Sequence, residues 1–323
     1  MSGGPSPLAQ PTAPSWWRDH VAVARPDHWI KNVLVLPGAA LAFDLAPALP
    51  VGETLVRLLI GLVAVSALAS ANYTINEWLD AEFDRHHPLK QRRPLAAGRM
   101  SPGAVLLQWA ALALVGLGIG VWIGHVFAAF GVALLVMGLV YNVRPLRTKD
   151  RPYLDVLSES FNNPIRFMLG WSIVVDDVVP PSSILIAYWM GGAYLMAVKR
   201  YSEYRFIEDR QRAGRYRRSF RFYDEQSLLL SALFYALTSA LCLGVFLIKY
   251  RIELILSIPF LAFLFVWYLK IGMRPDSAAQ RPEKLYREWP FLLYVLGVCL
   301  LCTLLMLVDI PGLAPLAEYR VLR

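Results

Sequence analysis

Asn76, Glu77, Asp80 and Asp84 close a long apolar run, and Arg85, His86, His87, Pro88, Lys90, Arg92, Arg93 and Pro94 follow at once. Asn76, Asp80 and Asp84 recur every four residues, so a continuing helix stacks them on one face. Carboxylates at the end of a membrane helix are costly to keep and usually functional. Magnesium takes octahedral oxygen coordination, keeps several waters, and is commonly held by one or two carboxylates plus substrate phosphates. Asp80 and Asp84 supply carboxylates, and Asn76 or Glu77 can add a ligand or a supporting hydrogen bond. Lys90, Arg92 and Arg93 would offset the phosphate charge. The chemistry this suggests is a Mg2+ ion and a diphosphate held together at a membrane surface. The plainer alternative is a solvated helix end with ordinary surface charges.

Three further groups of polar residues stand out. Lys199, Arg200 and Glu203 lie next to an apolar run and precede a segment rich in arginine, from Arg210 to Arg221. Lys199 and Glu203 are an i,i+4 pair, and arginine suits bidentate phosphate binding. The same arginines also fit a loop lying against anionic lipid head groups. Tyr141, Asn142, Arg144 and Arg147 precede Asp155, Glu159, Asn162, Asn163 and Arg166. An intramembrane Arg166 needs a partner, and Glu159 or Asn162 is the expected one. Either a packing ion pair or a substrate contact satisfies that pattern. Near the start, Trp29 reads as an interface anchor, and Lys31 can reach a phosphate or snorkel.

Other reactive residue types carry less. Adjacent His86 and His87 cannot share a helix face and read as loop residues. Cys242, Cys299 and Cys302 all fall in apolar runs. No second cysteine pair or nearby histidine accompanies Cys299 and Cys302, so packing is their expected role.

The elements that must position these groups follow from composition. Of 323 residues, 57% are hydrophobic, more than one soluble core can hide. Several windows of about 20 residues are nearly free of charge, the length needed to cross a bilayer. An all-α polytopic membrane protein is therefore expected, with nine spans near 30–46, 54–77, 103–124, 126–143, 154–176, 183–203, 226–248, 252–271 and 289–309. The first contains Pro37, and the fifth carries most of the polar residues named above. A β-barrel would alternate in short segments instead.

Lys and Arg concentrate before span 1 and in the 2–3, 4–5, 6–7 and 8–9 loops. The positive-inside rule then places the N-terminus and these loops in the cytoplasm and the C-terminus outside, in the cell membrane. The formal charge of +8 follows this loop pattern, so lipids rather than nucleic acid are the expected partners, and a homo-oligomer is compatible with it. Residues 1–20 are Pro-rich and polar without an apolar core, so they read as a disordered tail rather than a cleavable signal. Residues 21–312 form the membrane catalytic domain and 313–323 a short C-terminal tail.

Together the motifs resemble the UbiA superfamily of intramembrane prenyltransferases. The matching elements are Asn76 to Asp84, Pro88, Arg93-Pro94-Leu95, Tyr141-Asn142 and the nine spans. The resemblance implies a helical bundle around a central cavity, open sideways to lipid and capped by cytoplasmic loops. Glu77 stands where the family usually has Asp. Members that use isoprenyl diphosphates typically carry a second DxxxD motif in the 6–7 loop, whereas this chain has Lys199-Arg200-Tyr201-Ser202-Glu203. That pattern, with Arg25-Pro26-x-x-Trp29-x-Lys31-Asn32, is similar to the decaprenyl-phosphate phosphoribosyltransferase branch. The branch implies transfer of 5-phosphoribose from phosphoribosyl diphosphate to a polyprenyl phosphate, for cell-envelope polysaccharide precursors. The alternative is isoprenyl transfer to an aromatic or other small acceptor, and a transporter or lipid-binding protein is a third class. Under the resemblance, Asn76, Asp80 and Asp84 hold the metal and act in catalysis. Lys31, Glu77, Lys90, Arg93, Tyr141, Asn142, Arg147, Asp155, Arg166, Lys199, Arg200 and Glu203 bind substrate.

Overall fold

A computed structural model describes residues 16–45, 49–85, 90–207, 209–275, 277–280, 285 and 287–313. The tails 1–15 and 314–323, and the His86-His87-Pro88 segment, lie outside the described residues. So does the Lys90 side chain. Among the described residues every regular element is helical. In chain order these are α1 (Trp16–Ala24), a 3₁₀ stretch (Pro26–Val35), α2 (Leu36–Leu45), α3 (Val51–Asp84), α4 (Pro102–Ile123), α5 (His125–Asn142), α6 (Leu154–Ser160) and α7 (Asn162–Val174). They continue as α8 (Ser182–Ile207), α9 (Arg210–Tyr216), α10 (Glu225–Tyr250), α11 (Ile258–Gly272) and α12 (Trp289–Leu307). Residues 16–20, grouped with the tail by sequence, belong to α1, which is tied down where Asp19 accepts from Arg99 at 2.9 Å.

Among the described residues six helical segments are long and apolar enough to cross a membrane: Val51–Glu82, α4, α5, α10, Ile252–Gly272 and α12. The expected first, fifth and sixth spans fall outside this group, each for a visible reason. The first begins as 3₁₀ and becomes α-helical only at Leu36, with Pro37 in the first turn, where its missing N–H is tolerated. The fifth is two helices. Pro164 has no N–H for the Ser160 carbonyl, so α6 ends and α7 restarts around Phe161. The sixth, α8, is long enough but carries Lys199, Arg200, Glu203 and Arg205.

The expected second span is longer than its apolar run. At 34 residues, α3 is about 50 Å long, beyond the roughly 30 Å of hydrocarbon. The helix therefore carries the whole Asn76–Asp84 motif past the apolar region without breaking.

Helix α7 is the centre of the bundle, with every residue from Pro164 to Val174 buried. It crosses α2 through two glycines. A Cβ on Gly38 would lie 2.0 Å from the Phe167 carbonyl oxygen, and one on Gly170 would lie 1.9 Å from that of Val35. Small residues let backbones approach where lipid provides no hydrophobic drive for association. Leu107, Leu114 and Val121 on α4, and Leu230, Leu237 and Leu241 on α10, point outward, as a bilayer-facing surface requires.

Candidate active site

The C-terminal ends of α3, α5 and α8 meet at one end of the bundle, and the segments after α5 and α9 fold over them. Asp80 is the hub of the first cluster. Lys149 Nζ donates to its Oδ1 at 2.5 Å and Arg147 Nη2 donates to the same oxygen at 3.2 Å. Lys149 also donates to Asn142 Oδ1 at 2.9 Å and Asn76 Oδ1 at 3.4 Å. Burial pushes the Lys149 ammonium down to about 8, against the opposing pull of Asp80. One turn on, Asp84 accepts from Arg93 at 2.6 Å. Glu77, buried on the adjoining face, accepts from Arg25 at 3.3 Å.

The stacking expected of Asn76, Asp80 and Asp84 thus holds, and the helix delivers all three to the polar end. Asp80 and Asp84 with Asn76 fit magnesium by donor chemistry. Among the described residues no three His, Cys, Asp or Glu side chains are grouped to hold a metal alone. An ion there needs phosphate oxygens and water to complete its shell, the usual arrangement for magnesium.

A second cluster centres on Arg200, which is 1% exposed. It donates to Glu203 Oε2 at 2.9 Å and Glu159 Oε2 at 3.0 Å, and its Nε lies 3.3 Å from Asp155 Oδ2. Asp155, fully buried, also accepts from Ser219 at 3.0 Å and Tyr223 at 2.8 Å. The latch formed by Ser219 and Tyr223 therefore fastens the segment before α10 onto α6. Burial, and next the facing Asp155 carboxylate, push the Tyr223 phenol well above its ordinary value, so it stays a donor. Adjacent residues of α5 join the clusters. Tyr141 donates to Glu159 at 2.9 Å, while Asn142 accepts from Lys149.

Some expected pairings differ. Glu203 is held by Arg200 at i−3, with Lys199 only in electrostatic reach. Arg166 does not take the Glu159 carboxylate, whose Oε2 accepts from both Arg200 and Tyr141. It donates instead to Asn32 Oδ1 at 3.4 Å and to the Asn162 backbone carbonyl at 3.5 Å. Arg166 is buried on α7, with Tyr73, Tyr188 and Glu159 in electrostatic reach. Lys31 and Lys199 both act on Glu159 from a distance.

Sequence reasoning gave no site role to Lys149, Asp150, Ser219 and Tyr223, and used Arg25 only as part of the pattern entering span 1. In sequence Lys149 is one of several cations between spans 4 and 5. Backbone strain marks part of what was missed. Among the described residues Arg25, Arg147 and Tyr153 are the non-glycine positions with positive φ, at 50°, 29° and 62°. Arg25 and Arg147 each grasp an acid of the α3 motif, and the Tyr153 amide bonds the Tyr223 hydroxyl. Such conformations are costly and persist where surrounding contacts impose them, often at functional sites.

The description "UbiA prenyltransferase family" matches residues 33–296. A decaprenyl-phosphate phosphoribosyltransferase of Corynebacterium glutamicum is 34% identical over 187 residues, 57% of this chain and 54% of that protein. Its counterpart in Mycolicibacterium smegmatis is 28% identical over 230 residues, 69% and 68% of the two chains. The chain thus spans about half the length of the first of these relatives. Among solved structures, a UbiA homolog from Archaeoglobus fulgidus bound to GPP and Mg2+ superposes with a TM-score of 0.67 at 21% identity, covering 90% of this chain and 100% of that one. At that identity the likeness speaks for the fold.

Proposed function

The chain belongs to the UbiA prenyltransferase family, and from that membership we propose that it transfers 5-phosphoribose from phosphoribosyl diphosphate to a polyprenyl phosphate at the cytoplasmic face. The observation that carries this reading is the fate of the acids near the end of α8. Asp155, Glu159 and Glu203 all pair with the single guanidinium of Arg200. The site therefore offers one acidic motif that Arg200 does not occupy, Asp80 and Asp84, held by the basic wall of Lys149, Arg147 and Arg93. The named relatives at 34% and 28% identity point the same way.

Asp80, Asp84 and Asn76 would hold magnesium, which supplies Lewis-acid stabilisation of a departing diphosphate when bound. Lys149, Arg147 and Arg93, which hold Asp80 and Asp84, would meet the negative charge developing on that leaving group, and such preorganised cations lower the barrier. The C1–O bond breaks with its electrons going to the diphosphate. A phosphate oxygen of the lipid then forms the new bond to C1. That phosphate has its second pKa near 6, so it attacks as an anion and needs no general base. Lys31 and Lys199, both in electrostatic reach of Glu159, would steer the lipid phosphate.

Purified protein with magnesium should convert phosphoribosyl diphosphate and polyprenyl phosphate to phosphoribosyl lipid. Product formed only from isoprenyl diphosphate and an aromatic acceptor would instead establish the prenyl-transfer alternative.

A further inference from the structure

Beside Arg147 lies a cleft of about 540 Å3, which Asp80 does not line. Four guanidiniums line it, those of Arg144, Arg147, Arg151 and Arg218, against the one carboxylate of Asp150. Asp150 already accepts from Arg147 at 3.0 Å and Arg218 at 3.5 Å. Among the described residues the Arg151 guanidinium donates only to the Pro145 carbonyl, at 3.3 Å. Arg144 is exposed and pairs with no carboxylate among the described residues. Positive charge therefore exceeds negative in a concave site of ligand size, and planar guanidinium donors match phosphate oxygens.

Arg147 is the shared wall. Its Nη2 faces Asp80 and its Nε faces Asp150, so the cleft and the acidic motif stand one guanidinium apart. The strained backbone at φ 29° keeps it there. A ligand spanning both sites needs two separated phosphoryl groups.

We infer that this cleft is a second phosphate subsite, receiving the 5-phosphate of the sugar donor while the diphosphate lies at Asp80 and Asp84. The inference rests on the phosphoribosyl reading above and adds a basis for donor choice. An isoprenyl diphosphate has a single anionic end and leaves the cleft unsatisfied. Arg218 comes from the segment after α9 and the other three arginines from the segment after α5. A phosphate among them would therefore also clamp the two loops together.

An anionic lipid head group presents similar phosphate chemistry, so the test separates the two sources. The full chain in phosphatidylcholine nanodiscs is titrated with phosphoribosyl diphosphate, ribose 5-phosphate and inorganic diphosphate, beside an Arg144→Gln/Arg151→Gln variant. Neither substituted residue touches Asp80. The first two ligands should bind about tenfold more weakly to the variant, and inorganic diphosphate within about twofold of the parent. Retained diphosphate binding also reports an intact fold, and Arg218→Gln should repeat the pattern. Equal weakening of all three ligands, or none with a parent chain that binds phosphoribosyl diphosphate, overturns the cleft assignment and spares the functional reading. A parent chain that binds isoprenyl but not phosphoribosyl diphosphate overturns both. In phosphatidylglycerol nanodiscs ribose 5-phosphate should bind as before. Its displacement by that lipid would assign the cleft to a head group and overturn the inference.

Discussion

Lys149 Nζ and Asp80 Oδ1 lie 2.5 Å apart although 69 residues separate them in the chain. The ammonium also holds Asn76 and Asn142, so it orients the amide of the motif and joins α3 to α5. Its place beside the acidic motif makes it a candidate to meet the leaving diphosphate. Lys149→Met should lower turnover about 100-fold or more, the usual loss on removing one preorganised charge-stabilising donor. Lys149→Arg should recover part of it, because the charge returns on a larger, planar head. Steady-state rates for the pair decide the matter. Wild-type turnover in Lys149→Met would remove it from the chemistry.

Magnesium should be required. Chelation should abolish turnover, and added magnesium should restore it. Asp80→Asn and Asp84→Asn should each weaken magnesium activation at least about 100-fold, since even changes to residues supporting metal ligands cost 10- to 100-fold. The readout is rate against magnesium concentration. Asp155→Asn should leave the magnesium midpoint in place, because Asp155 is fully occupied by Arg200, Ser219 and Tyr223.

Removing Arg200 should damage stability more than any exposed charge change. Arg200→Met leaves Asp155, Glu159 and Glu203 without their shared cation in a buried setting, at a cost of about 3–5 kcal/mol. Thermal unfolding in detergent should show a clear fall in midpoint. Proteolysis should quicken between α9 and α10, where Ser219 and Tyr223 lose their ordered acceptor. An unchanged midpoint would mean that water enters the cluster freely.

The α2–α7 crossing should tolerate no side chain. Gly170→Ala puts a Cβ 1.9 Å from the Val35 carbonyl oxygen, and overpacking of this kind costs about 1–3 kcal/mol. Gly118→Ala on α4 meets nothing within 4 Å and should be neutral in the same assay. Equal effects would show that the crossing relaxes easily.

Much of this arrangement can be read without coordinates, because it depends on near neighbours. The apolar runs announce membrane helices, and the spacing of Asn76, Asp80 and Asp84 places them on one face. The loop cations mark one end of the bundle. Pro37 and Pro164 already hint at interrupted spans, although treating residues 154–176 as one helix overlooked what Pro164 does to the Ser160 carbonyl.

The partners of each charge are a different matter. Lys199 and Glu203 are matched by spacing, yet Arg200 takes Glu203. Sequence offers Arg166 either Glu159 or Asn162, yet Arg200 and Tyr141 take Glu159 and Arg166 reaches the Asn162 backbone carbonyl, and Lys149 is indistinguishable from its neighbours in a basic loop. The sequence by itself determined the membrane class, the helical face of the acidic motif and the end of the bundle where it lies, because helix periodicity and hydropathy act over one or two turns. Only the tertiary structure decided which cation meets which acid and where a spare cluster of arginines opens. Those pairings depend on how α3, α5, α6 and α8 converge, and a contact across 69 residues leaves no trace in local spacing.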